Sequence, residues 1–212
     1  MTQTKISNKQ LQADGWTPTT GWSYASATTI TVPSGAELIY SVGDKFKLTA
    51  NSVVLQGYII TIADTLLTVV GDALTNHAFS ATYYSKAATP LGFPQWFAWV
   101  PSLTGGPADL SGYDSARFCI SGRNVSIIFA TNNRSLSGSA GAINVGLPVA
   151  ASANVVGVRL HSAFYISTTY IYNRADVVAS STIIDISKDA FIGDWAANET
   201  GLYMRISGSY EI

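Results

Sequence analysis

Apolar and polar positions in this chain alternate with a period of two almost from end to end. Within residues 28–32, Ile30 and Val32 fall on one side and Thr29 and Thr31 on the other. Residues 44–49 set Phe46 and Leu48 against Lys45 and Lys47. Val125, Ile127 and Phe129 recur in the same way, and Val156, Val158 and Leu160 alternate with Arg159 and His161. The last stretch places Leu202, Met204, Ile206 and Tyr210 opposite Tyr203, Arg205, Ser207 and Ser209. Successive side chains of a strand point to opposite faces, so each run predicts a half-buried strand. Turn formers separate the runs: Pro33-Ser34-Gly35, Val42-Gly43-Asp44, Gly71-Asp72, Ser121-Gly122, Ser137-Gly138 and Gly193-Asp194. No window of a dozen residues carries the i, i+3, i+4, i+7 stripe of an amphipathic helix, so the chain is expected to be all-β.

Two stretches break the pattern. Residues 1–14 are polar, with only Ile6 and Leu11 to bury, and read as an arm that orders against a neighbour. Residues 87–98 hold Pro90, Gly92 and Pro94, followed by Pro101, which forbids regular pairing there. Phe93, Trp96, Phe97 and Trp99 are too apolar for a solvated tether. The segment is therefore read as a stiff connector whose aromatic rings wedge between two β-domains. The division is then a docking arm (1–14), a small β-domain (15–86), the connector (87–98) and a second β-domain (99–212).

Composition changes the picture in one respect. Only 12% of the 212 residues are Asp, Glu, Lys or Arg, while 47% are hydrophobic. Soluble domains usually carry about twice that charged fraction, and mixed charge is what keeps them apart. A surface so poor in charge is expected to face other subunits. The formal charge of −1 gives no electrostatic drive toward nucleic acid. Cys119 is the only cysteine, which excludes an intrachain disulfide. No apolar run of signal-peptide or membrane-spanning type is present, so no membrane insertion is expected, and synthesis in a cytoplasm is.

Several runs resemble a module of tailed-bacteriophage virion proteins. They are Gly15-Trp16-Thr17-Pro18, residues 22–33 (WSYASATTITVP), residues 40–49 (YSVGDKFKLT), and Tyr83-Tyr84-Ser85-Lys86 leading into Pro90-Leu91-Gly92-Phe93-Pro94-Gln95-Trp96-Phe97. The C-terminal half is similar to a domain that often follows it, through Gly122-Arg123-Asn124-Val125, Gly146-Leu147-Pro148, a late Trp195 and the ending Tyr210-Glu211-Ile212. The resemblance covers most of residues 15–212 and is more specific in its N-terminal half. It implies a virion structural or fibre protein, commonly a homotrimer, with a C-terminal jelly-roll-like β-sandwich. Docking on other virion proteins would run through residues 1–14.

Motifs that carry chemistry are few. There is no GxGxxG, Walker loop, HExxH or CxxC pair. His77 and His161 lie far apart and read as ordinary strand or loop residues, not metal ligands. Cys119, in Arg117-Phe118-Cys119-Ile120, reads as a small buried hydrophobe. Asp185, Asp189, Asp194 and Glu199 match no calcium-loop spacing and read as solvated turn residues. No catalytic residue, cofactor or metal site is expected. A polysaccharide-degrading enzyme, which needs clustered acids with a raised pKa in a groove, is disfavoured by the low acid count. One stretch suits binding: Tyr165, Tyr170 and Tyr172, with Phe164 beside them, surround Ser167-Thr168-Thr169. Tyrosine rings suit either a core or subunit interface, or stacking on host-surface glycan.

Overall fold

The computed structural model describes residues 14–104, 113–134, 143–154, 157–166, 169–171, 174–187 and 202–212. The fold is all-β and divides into two compact units, Met1–Phe97 and Ala98–Ile212.

The first unit contains β1 (Thr17–Thr19), β2 (Ser23–Ser26), β3 (Thr29–Thr31), the single-turn helix α1 (Ala36–Ile39), β4 (Lys45–Ala50), β5 (Val53–Ala63), β6 (Leu66–Gly71) and β7 (Phe79–Ser85). Its antiparallel strands run in the order β1-β7-β4-β5-β6-β3-β2. Laid flat, the seven strands would hold their outer members about 29 Å apart at about 4.8 Å per spacing. β1 and β2 are joined by residues 20–22 alone, a link that reaches about 14 Å at most. The sheet must therefore curl until its edges nearly meet, and a curled sheet leaves little free edge for another strand. Inside lie the residues that the alternation assigned to buried faces: Ile30, Val32, Phe46 and Leu48, with Trp22, Tyr40, Ile59, Leu67 and Val69. The Trp22 indole N–H donates to the Tyr40 hydroxyl at 3.1 Å, so the core carries its polar atoms paired. Asn51 and Ser52 turn β4 into β5 with positive φ at both positions, as a two-residue hairpin of matching twist requires.

Residues 90–97 belong to this unit. The Trp16 indole N–H donates to the Leu91 carbonyl at 2.9 Å, and the Leu91 amide donates to the Asp14 carbonyl. The Phe93 ring meets Trp16, Tyr58 and Phe97 at 5.9, 5.1 and 5.5 Å between centroids. The Pro/Gly-rich segment read as a connector is thus held along the first unit by its own side chains, whereas Trp99 lies in the second.

The second unit's sheet order is β8-β10-β11-β17-β13-β15-β16-β12-β9, with β14 beside β13. The strands are β8 (Phe97–Ala98), β9 (Leu103–Thr104), β10 (Ser115–Ser121), β11 (Asn124–Arg134), β12 (Ile143–Gly146), β13 (Val158–Ile166), β14 (Thr169–Ile171), β15 (Arg174–Val177), β16 (Ile183–Ser187) and β17 (Leu202–Glu211). β13 divides its pairing: Val158, Arg159 and Leu160 face β15, and His161 to Ile166 face β17. At that division Gly208 of β17 leaves room for Leu160, whose Cδ2 would stand 2.8 Å from any added Cβ. The result is two antiparallel sheets that share one strand, each burying one face. Phe118, Ile127, Phe129, Phe164, Met204 and Ile206 supply one side of the core, and Val145, Ala175, Ile184 and Ile186 the other. The Tyr210 hydroxyl donates to the Val149 carbonyl at 2.7 Å, and the burial that surrounds it pushes its pKa above the usual tyrosine range.

Candidate functional site

The aromatic residues singled out in the sequence separate in space. Phe93 and Phe97 pack in the first unit, Trp96 is 38% exposed, and Trp99 is buried in the second unit against Phe118. Tyr165 and Tyr170 are Cα partners in the hairpin of β13 and β14; Tyr172 lies outside the described residues. Tyr165 is also the Cα partner of Tyr203 on β17. Residues directly opposite in antiparallel strands occupy one face of a sheet. Three tyrosine positions thus fall in one row across β14, β13 and β17.

Tyr203 ends a longer outward face. On β17 the alternation exposes Tyr203, Arg205 and Ser209, while Leu202, Met204 and Ile206 are buried. Arg205 is flanked by Ala130 of β11 and Ala163 of β13, its Cα partners on either side. One row along the strand, Ser207 is flanked by Ile128 and His161, and Ile128 is opposite Arg117 of β10. A further row is Cys119, Ser126 and Ser209, in which the two serine hydroxyls are 2.8 Å apart. Burial raises the Cys119 thiol pKa, only partly offset by its hydrogen bond to Ser126, so it is a poor nucleophile at neutral pH.

Small side chains beside Tyr203 and Arg205 leave a shallow depression of ≈ 650 Å³, lined by Ala130, Thr131, Asn132, Ala163, Tyr203 and Arg205, with Met204 at its floor. Its cause is local: two alanines face each other across β17 where longer residues would fill the space. A register shift in β11 between Thr131 and Arg134 marks the same end of the sheet. The buried Thr131 Oγ1 has no hydrogen-bond partner among the described residues.

Candidates for other chemistry do not converge. His77 and His161 belong to different units. Asp185, read from sequence as a turn residue, lies within β16 instead, opposite Asp176 and Asn144; Asp189, Asp194 and Glu199 lie outside the described residues. Asp176 is held by Arg159 at 3.7 Å. Among the described residues no group of three or more His, Cys, Asp or Glu side chains could hold a metal ion. No helix among them is long and apolar enough to cross a membrane.

Sequence reasoning missed the depression. The exposure of Tyr203 and Arg205 was legible in the alternation, but their alanine neighbours come from strands distant in sequence. Neither a family model, a curated protein nor a solved structure matches the chain.

Proposed function

We propose that this chain is a structural component of a tailed-phage particle that assembles with copies of itself, as a homotrimer. In this reading residues 1–14 dock on other virion proteins and the second unit, a jelly-roll-like domain, faces outward. The observation that carries it is a group of solvent-facing apolar side chains on a charge-poor chain. Leu38 is 93% exposed, Ile39 43% and Leu66 37%. They belong to one region, because the Ala36 amide of α1 donates to Asp64 in the turn just before Leu66. Exposed apolar clusters of this kind mark surfaces that another chain covers. Light scattering should give about three times the 22.5 kDa chain mass, and Leu38→Glu should lower it without unfolding the chain. A single 22.5 kDa species across micromolar concentrations would defeat the reading.

A second reading, attachment to a host-surface glycan through the second unit, has its own support in the depression beside Tyr203. Ring faces stack on sugars, and many copies on one particle multiply a weak contact.

A further inference from the structure

Five arginines have described side chains in the second unit, and they divide cleanly. Arg123 holds Glu211 at 3.3 Å, Arg134 holds Asp114 at 3.3 Å, and Arg159 holds Asp176 at 3.7 Å. Arg117 and Arg205 make no ion pair among the described residues. Both stand on the outward face of β10, β11, β17 and β13, and both are exposed. Among the described residues the acid on that face is Glu211, six residues beyond Arg205 and so about 20 Å along the strand. It is already engaged by Arg123.

Arg205 stands in the row between Ala130 and Ala163, with no long side chain on either neighbouring strand. Tyr203 is one step along the same face, about 7 Å away along the strand, and Asn132 lines the same depression. The chemistry is that of a small site for a ligand that is both ring-shaped and anionic. A guanidinium offers a planar fork matched to a carboxylate. A phenol ring offers an apolar face for the flat side of a pyranose, and a carboxamide offers both donor and acceptor to hydroxyls. The ≈ 650 Å³ of the depression is in the range of small-ligand sites, which run from about 300 to 1,000 Å³.

We infer that this depression binds an acidic saccharide, with Arg205 pairing the sugar carboxylate, Tyr203 packing on the ring and Asn132 meeting its hydroxyls. The inference rests on the second reading above and narrows its ligand. An acidic peptide fits less well. β17 is paired on both sides, by β11 and β13, so it offers a peptide no free backbone edge to extend.

The test uses the full chain and a matched pair of probes: a glucuronate-containing oligosaccharide and the same oligosaccharide after carboxyl reduction. Titration calorimetry should show the acidic form binding at least tenfold more tightly, and more weakly as salt rises. Arg205→Gln should erase at least tenfold of that affinity, Arg205→Lys should restore only part of it, and Tyr203→Ala should weaken both probes. Arg123→Gln, on a residue already paired, should change nothing. Circular dichroism confirms that each variant is folded. Equal binding of both probes overturns the acidic inference and leaves glycan attachment standing. Binding of neither probe overturns both. Oligoglutamate competing at the same affinity overturns the saccharide assignment in favour of a peptide.

Discussion

The indole N–H of Trp99 donates to the carbonyl of Gly146 at 3.0 Å in the buried interior of the second unit. Gly146 is held from its other side as well, since its amide donates to Ser102 at 2.7 Å. A side chain at 146 would crowd the Ser102 hydroxyl and press on the Ser102 amide nitrogen at 3.0 Å, so this close crossing favours glycine. Trp99 packs edge-on against Phe118 of β10 while bonding to Gly146 of β12, and so ties the two sheets together. Trp99→Phe keeps the apolar packing but leaves a buried carbonyl without that donor. It should cost about 1–3 kcal/mol in urea unfolding of the second unit. Trp99→Ala, which also opens a cavity, should cost about 3–5 kcal/mol.

Gly57 of β5 is opposite Phe46 of β4, and a Cβ there would come 2.6 Å from the Phe46 ring and closer still to the Val70 carbonyl. An aromatic ring over a strand glycine recovers burial that the missing side chain forgoes. Gly57→Ala should therefore destabilise the first unit by about 1–3 kcal/mol or more through overpacking. Adding Phe46→Leu should not rescue it, because the tighter collision is with backbone. Chemical denaturation of the two single variants and the double variant decides this; full recovery in the double would place the clash on the ring instead.

The buried faces were legible because alternation is local. Ile30 and Val32, Phe46 and Leu48, and Val125, Ile127 and Phe129 are all buried where a period of two puts them. The switch of β13 from one sheet to the other was not legible, because the alternation runs through Leu160 and His161 without a break. Its one trace is Gly208, on a different strand. The segment around Pro90 and Pro94 reads as a connector from backbone chemistry alone. Its attachment to the first unit depends on where Trp16 and Tyr58 lie, which only tertiary structure sets. The depression beside Arg205 is a property of register, and register between distant strands is not written in either strand by itself.

Asp64 anchors the turn into α1: it accepts from the Gly35 amide at 2.6 Å and from the Ser34 hydroxyl at 2.8 Å. These bonds hold its carboxyl below the usual range, the Gly35 amide contributing most. Gly35 has φ of +90°, a conformation that this carboxylate helps to fix. A carboxylate whose pKa falls on folding contributes stability that is complete above its unfolded value of about 3.9. That contribution is lost as pH falls through the depressed folded value. Asp64→Asn should thus lower stability at neutral pH and flatten the part of the acid limb below about pH 4. Thermal melts of both proteins from pH 2 to 7 check this; parallel curves would remove Asp64 from the account.

The boundary between Phe97 and Ala98 makes a prediction about autonomy. The Phe97 ring packs on Tyr58 at 5.5 Å and lies over Gly71, all within the first unit. Trp99, two residues on, is anchored by Phe118, Gly146 and the Ala116 carbonyl of its own unit. A cut at this point bisects the two-residue strand β8 but keeps the Phe97 ring with Tyr58 and Gly71, and the Trp99 indole with Phe118 and Gly146. The fragment Ala98–Ile212 should fold alone, with one cooperative urea transition and a β-type circular dichroism spectrum. A fragment starting at Leu103 loses the Trp99 tie and should be less stable by roughly the 3–5 kcal/mol of a buried tryptophan. In the intact chain, Trp99→Ala should then shift only the transition that belongs to the second unit. A molten 98–212 fragment, or a full-length chain whose single transition moves as a whole with Trp99→Ala, would mean that neither unit is stable without the other.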